Sequence, residues 1–187
     1  KNSTYDFIAF IDSDDIWYPN KLSQIGHFIS SHRDRNLFIH DEMYLRLNGH
    51  KRRIMHGNHH NPLYKALYKR NFLSTSAIVV QKQLLLEFNC FDENLMSSQD
   101  YDLWLKIAKK IKLCKIDKIL GEYREKSSSI TSKYYLFRFY DQIKIAHRYR
   151  SYVKLQDYIF KIFKISFSKQ WLVGLGSLLT GNKKHNY

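Results

Sequence analysis

The chain has 187 residues, 44% apolar and 16% aromatic, which is enough for a sizeable core in one domain, or one domain with an appendage, and excludes global disorder. Its formal charge of +14 is uneven: Lys133 to Tyr187 hold eleven Lys and Arg against Asp141 and Asp157, a net of +9, so residues 1–132 carry +5. Such a basic excess suits a polyanionic neighbour, whether nucleic acid, an anionic membrane or a phosphorylated substrate. Cys90 and Cys114 make no disulfide framework and suit a reducing compartment. The opening Lys1-Asn2-Ser3-Thr4 reads as no secretory signal, and no apolar stretch reaches the ~20 residues of a membrane span.

The apolar run Phe7-Ile8-Ala9-Phe10-Ile11 predicts a fully buried strand. It stops at three carboxylates, Asp12, Asp14 and Asp15. Acids at the end of such a strand sit in the crevice where open α/β sheets bind ligands. Packed this closely they repel one another unless a cation joins them, and Mg²⁺ or Mn²⁺ with oxygen ligands is the usual solution. The plainer reading is a solvated turn in which Asp14 or Asp15 caps the next helix, with Pro19 in its first turn.

Lys21–Ser31 predicts a helix with Leu22, Ile25, Phe28 and Ile29 at helical spacing. Asn36–His40 reads as a strand and Arg46-Leu47-Asn48-Gly49 as a turn. His40-Asp41-Glu42 would then end that strand and line a pocket. Arg52–Pro62 is polar and reads as a loop; its His56, His59 and His60 lack a nearby Cys or an obvious fourth zinc ligand, which favours a solvated basic segment. A helix over Leu63–Lys69, a strand over Ser74–Val80, a helix over Lys82–Phe88 and a turn over Asn89–Glu93 follow. Gln99–Ile111 predicts a helix with Leu103, Trp104, Ile107 and Ala108 on one face, then come a strand at Lys115–Leu120 and a polar loop at Glu122–Ser129.

In the tail, Lys154 to Leu179, Leu155, Tyr158, Ile159, Ile162 and Phe163 share a helical face, with Lys154, Asp157, Lys161 and Lys164 off it. A basic amphipathic helix suits an anionic membrane surface through residues 154–179. Equally, it suits a helix packed on the rest of the chain with its lysines solvated.

Four places together resemble glycosyltransferase family 2, the inverting nucleotide-sugar enzymes with a GT-A fold. They are the strand with Asp12-x-Asp14-Asp15; Asn71-Phe72-Leu73-Ser74-Thr75-Ser76 with Ala77-Ile78-Val79-Val80; Phe91-Asp92-Glu93 followed by Gln99-Asp100-Tyr101-Asp102-Leu103-Trp104-Leu105; and Tyr123-Arg124 with Ser127–Ser129. The likeness spans about residues 5–132. It implies an α/β fold, a partial GT-A, Rossmann-like sheet flanked by helices, over residues 1–132, with a basic helical tail over 133–187. It also implies that the chain is the C-terminal portion of a larger enzyme whose nucleotide-binding half precedes it.

By the same resemblance Asp14 is the direct ligand of Mn²⁺ or Mg²⁺, Asp12 lies nearer the ribose or the metal's outer shell, and Asp15 and Arg124 support the donor. Asp100 is the base that deprotonates an acceptor hydroxyl. It would open a helix, whose positive end favours an ionised carboxylate. Asp92, Glu93 and Trp104 are acceptor-side candidates, although Trp104 lies on the apolar stripe that marks core. The implied partners are a nucleotide-diphosphate sugar and a glycan or lipid-linked acceptor, with no nucleic acid, at the cytoplasmic face of a membrane. Departures are Asn89-Cys90, where relatives carry glycines, and Gln99 in place of Glu. A nucleic-acid-binding or metal-dependent nuclease module, and an inactive remnant, stay open as alternatives.

Overall fold

The computed structural model describes residues 3–56, 62–125 and 135–168. The chain divides into two compact units, Lys1–Asp92 with Asp100–Ser127, and Glu93–Gln99 with Ser128–Tyr187.

Among the described residues the first unit holds six strands: β1 (Phe7–Ala9), β2 (Ile16–Trp17), β3 (Leu37–Leu45), β4 (Lys51–Ile54), β5 (Ile78–Gln81) and β6 (Leu113–Arg124). They form one mixed sheet in the order β1-β5-β3-β6-β2, with β4 on β3. Only β3 and β6 run parallel; the other pairings are antiparallel. Four helices belong with it, α1 (Lys21–Ser31), α2 (Leu63–Lys69), α3 (Lys82–Glu87) and α4 (Gln99–Ile107).

The core alternates as a pleated sheet requires. Phe38, Val79, Cys114, Ile116 and Leu120 pack with Ile25 of α1, and Phe7, Ala9, Phe28 and Ile29 close the cluster's margin. Leu37, Ile39, Ile78 and Val80 point the other way and are also buried, so the central strands are covered on both faces.

Several expectations need correction. The strand at Phe7 is short, half-buried and at the sheet edge rather than central, and Ile11 is exposed. On α1, Lys21 is fully buried and Leu22 exposed. β3 runs five residues beyond His40, so His40, Asp41 and Glu42 lie inside a strand, all buried. The segment after Gly49 opens with β4 before it becomes loop, and residues 57–61, with His59 and His60, lie outside the described residues, as do the serine run and the tail after Ser168. Thr75–Ala77 is a 3-10 turn that leads into β5. β6 is twice the expected length because β-bulges absorb Asp117 and Lys118: His40 pairs with Ile116, Asp41 with Ile119 and Met43 with Glu122.

The turn before Asp92 is built without glycine. Asn89 and Cys90 both take left-handed backbone, φ 58° and 54°. Asn tolerates this region, whereas Cys does so at a cost. Lys106 Nζ donates to the Cys90 carbonyl and steadies the turn.

The second unit contains α5 (Tyr135–Arg148) and α6 (Leu155–Ser166), which pack together around a 3-10 turn at Arg150–Tyr152. Ser97 donates to Asp141 through its main-chain N–H, 2.7 Å, and its hydroxyl, 3.1 Å. On α6 Ile165 is buried and Tyr158 and Ile162 are half-buried, while Leu155, Ile159, Phe160 and Phe163, with Phe167 just beyond, are 57–69% exposed. Among the described residues no helix is long and apolar enough to cross a membrane.

Candidate active site

The acid loop is short because two strands pin its ends. β1 stops at Ala9, and β2 begins at Ile16, paired with β6 through Ile16 to Glu122 and Trp17 to Gly121. Between them Asp15 N–H donates to the Asp12 carbonyl at 3.1 Å, a tight turn that crowds the carboxylates. Gly121 is required there, since a Cβ on it would stand 2.7 Å from the Ile16 carbonyl oxygen.

Ser76, buried in the turn before β5, holds this loop from below. Its hydroxyl accepts the Asp12 N–H at 2.9 Å and hydrogen-bonds the Asp15 carboxylate. Its carbonyl accepts Trp17 Nε1 at 3.1 Å and Lys21 Nζ. The Lys21 ammonium lies 3.9 Å from the Trp17 ring centroid. Burial pushes Lys21 down to about 7, while the charges of Glu42 and Asp15 hold it up.

Asp12 lies at the surface, Asp14 is half-buried and Asp15 is buried. Neighbours withdraw water from the Asp12 carboxyl and push it above the usual carboxylate range, and the charges of Asp15, Asp100, Asp14 and Glu42 act in the same direction. Burial likewise raises Asp15, against hydrogen bonds from Ser76 and the Arg124 main-chain N–H, the latter 3.0 Å from Oδ1. Asp15 Oδ2 is buried and has no hydrogen-bond partner among the described residues. Two acidic clusters far apart in the chain thus share one electrostatic field.

Asp100 is in the first turn of α4, half-buried, and Asn71 Nδ2 approaches its Oδ2 at 3.4 Å. The Arg124 side chain turns to Glu122, 3.3 Å away, so its main-chain N–H and not its guanidinium meets the acid loop. Trp104 is fully buried with its ring 6.0 Å from Phe10, edge to face. That makes it core and removes it from the acceptor-contact candidates. Asp102 is also fully buried, 3.6 Å from Lys106 one turn on. Asp92 is half-buried, and Glu93, exposed, belongs to the second unit.

Sequence reasoning missed Lys21, Glu42 as a buried charge, and Ser76. Lys21 had a signal, since it shares a helical face with Ile25 and Phe28. Glu42 is 3.3 Å from His56 Nε2, and His56 Nδ1 is 2.8 Å from the Phe72 carbonyl. His56 is therefore committed to structure, and among the described residues no three His, Cys, Asp or Glu are disposed to hold a metal between them.

Over 121 residues the chain is 27% identical to the uncharacterized glycosyltransferase MJ1057 of Methanocaldococcus jannaschii, covering 63% of this chain and 41% of that protein. It is 28% identical over 114 residues to the amylovoran biosynthesis glycosyltransferase AmsB of Erwinia amylovora, covering 57% and 38%. It is 33% identical over 132 residues to the Escherichia coli UDP-Glc:alpha-D-GlcNAc-diphosphoundecaprenol beta-1,3-glucosyltransferase WfgD, covering 67% and 48%. The chain is similar to glycosyltransferases. It spans less than half the length of these relatives. Staphylococcus aureus TarS, in its structure with UDP-GlcNAc, superposes with a TM-score of 0.59 at 17% identity over 95% of this chain and 58% of that one, so the α/β fold is that of the glycosyltransferase TarS. No protein-family model matches the chain.

Proposed function

We propose that this chain carries the reacting face of an inverting, family 2-type glycosyltransferase that uses a nucleoside-diphosphate sugar. What supports this reading most is that the charges of Asp14, Asp15 and Asp100 all act on the Asp12 carboxyl. Carboxylates so arranged at a sheet margin serve two needs of sugar transfer: a seat for the donor diphosphate's counter-charge and a base for the acceptor.

The acceptor hydroxyl oxygen attacks the anomeric carbon from the face opposite the diphosphate. A carbon–oxygen bond forms to the acceptor while the bond to the diphosphate oxygen breaks, its electron pair leaving with the diphosphate. The hydroxyl proton passes to Asp100, which must lie within about 3 Å of it. Asn71 holds that carboxylate in place. Asp12 and Asp14 would hold Mn²⁺ or Mg²⁺, which when bound stabilises the departing diphosphate. Such ions take one or two carboxylates plus substrate phosphates rather than an all-protein cage. The crowded charges on Asp12 and the unpartnered Asp15 Oδ2 fit that demand.

TarS was crystallised with UDP-GlcNAc, and WfgD is named for transfer from UDP-Glc to a diphosphoundecaprenol-linked sugar. These relatives support a nucleotide-sugar donor and a glycan or lipid-linked acceptor. The outward apolar face of α6, with Lys154 and Lys164 beside it, supports an anionic membrane as a further partner, met from the cytoplasmic side.

The test is a transfer assay on the whole protein together with Mn²⁺-dependent binding of UDP-sugars by calorimetry. Asp100→Asn abolishes transfer and leaves donor binding intact. Transfer at an undiminished rate removes the base assignment.

A further inference from the structure

A cross-strand row of side chains leads away from the acid loop. In the register of the sheet Tyr44 of β3 pairs with Tyr123 of β6 on one side and with Arg52 of β4 on the other. Partners in register point to one face, and the contacts agree: the two tyrosine rings are 5.7 Å apart and the Arg52 guanidinium is 5.2 Å from the Tyr44 ring centroid. None of the three is buried, and Tyr123 is 40% exposed.

The row has opposite chemistry at its ends. Tyr123 is the end against the acid loop: the next residue's main-chain N–H donates to Asp15 Oδ1 at 3.0 Å, and Ile16, which closes the loop, pairs with Glu122 on its other side. At the other end stands the Arg52 guanidinium, 5.2 Å from the Tyr44 ring, and the charges of Arg46 and Glu125 also reach the Tyr44 hydroxyl. Two strand spacings separate the ends, about 10 Å. That is roughly the reach of one pyranose ring and the phosphate on its anomeric carbon.

We propose that the Arg52–Tyr44–Tyr123 row binds a sugar phosphate, with the sugar lying on the two tyrosine rings and the phosphate on Arg52 and Arg46. Tyrosine presents an apolar ring face to the C–H groups of a sugar and a polar tip to its hydroxyls. Arginine matches phosphate with paired donors in a fixed fork. The polarity of the row sets the direction: the sugar's free hydroxyls point to Asp12–Asp15 and its phosphate away from them. Naming this occupant as the acceptor rests on the proposed glycosyltransferase reading; the binding itself does not.

The experiment is a titration of the 187-residue chain, followed by NMR saturation transfer and calorimetry, with N-acetylglucosamine 1-phosphate, free N-acetylglucosamine, inorganic phosphate and UDP. The sugar phosphate binds more tightly than either the free sugar or inorganic phosphate. Tyr44→Ala weakens it about tenfold while Tyr44→Trp restores it, a rescue that a purely structural tyrosine would not show. Arg52→Gln abolishes the preference for the phosphorylated sugar and leaves the weak binding of the free sugar. Asp100→Asn changes none of this, so a loss of transfer in that variant and a loss of sugar-phosphate binding are separate results. Three outcomes overturn the proposal: no sugar-phosphate binding by a folded chain, equal affinity for inorganic phosphate, or competition by UDP, which would make the row part of the donor site.

Discussion

The main-chain N–H of Asp12 donates to the hydroxyl of Ser76 at 2.9 Å, a bond across 64 residues of chain. The same hydroxyl bonds the Asp15 carboxylate. One buried serine therefore fixes both ends of the acid turn. Ser76→Ala deletes these two bonds and leaves the carbonyl contacts to Trp17 and Lys21. Urea unfolding is expected to show a loss of about 1–3 kcal/mol, the cost of stranding buried polar groups. Calorimetry should show weaker Mn²⁺-dependent UDP-sugar binding in a variant that still folds. Unchanged binding would mean that the loop holds its shape without Ser76.

Asn71 and Asp100 supply a second expectation. Replacing the amide by a carboxylate, Asn71→Asp, turns a donor into a like charge beside the proposed base. The acidic limb of the kcat profile should then move to higher pH, and kcat at neutral pH should change more than the donor KM. A profile that keeps its position argues that Asn71 only supports the loop.

How far the sequence alone reached depended on which forces placed each residue. The helices Lys21–Ser31 and Leu63–Lys69 have the anticipated bounds, because apolar periodicity and the prolines before them are local signals. β4, with three cations in four residues, was invisible; as an exposed strand on β3 it needs no apolar side. β6 looked half as long since Asp117 and Lys118 interrupt its pattern at the bulges. The position of β1 at the edge depends on pairing, which no local pattern encodes. The carboxylates of the candidate site stood out as clusters after apolar runs. Lys21, Glu42 and Ser76 did not, since their role exists only once α1, β3 and the turn before β5 have been brought together.

Gly121 gives a steric prediction. A methyl group there meets the backbone oxygen of Ile16 at 2.7 Å, and neither strand has a flexible side-chain end to yield. Gly121→Ala should push β2 from β6 and lower stability by about 1–3 kcal/mol. The acid loop hangs from β2, so UDP-sugar binding should fall as well. Thermal unfolding with a parallel binding isotherm measures both. A variant as stable as the parent would show that β2 moves without strain.

His40 sets an acid limit on stability. It is fully buried, with Nδ1 2.7 Å from the Asp41 carbonyl, which makes Nδ1 the protonated nitrogen. Nε2 is buried without a hydrogen-bond partner among the described residues. Burial pushes the imidazole down to about 4 from its ordinary 6.5. Between these values the unfolded chain binds the extra proton and the folded chain does not, so its contribution is complete above pH 6.5 and is lost as pH falls toward 4. The loss is about 3 kcal/mol. Lys21 acts in a different window: its value near 7 makes stability rise from about pH 7 toward 10.5. Urea titrations at pH 7 and pH 4.5 should show the acid loss, and His40→Gln, which keeps a donor for the Asp41 carbonyl, should show less of it. An identical pH dependence in the variant assigns the loss to other groups.

The outer face of α6 carries Leu155 at 69%, Ile159 at 58%, Phe160 at 67% and Phe163 at 57% exposure, with Phe167 at 65% just past its end. Large apolar groups gathered on one exposed helix face mark an interaction surface. Lys154 and Lys164 border this one, and Lys161, half-buried, is pushed down to about 8 first by burial and then by Lys164. An anionic bilayer would relieve both features, taking the phenyl rings below its headgroups and adding about 1 kcal/mol for each lysine near its surface. Co-sedimentation with vesicles of phosphatidylglycerol and phosphatidylcholine should therefore recover the chain at low salt, and much less with phosphatidylcholine alone. Phe160→Ser with Phe163→Ser should abolish recovery, while Lys154→Gln with Lys164→Gln should weaken it and flatten its salt dependence. Binding that is indifferent to lipid charge contradicts the lysine contribution. Recovery undiminished by the phenylalanine changes places the contact elsewhere on the chain.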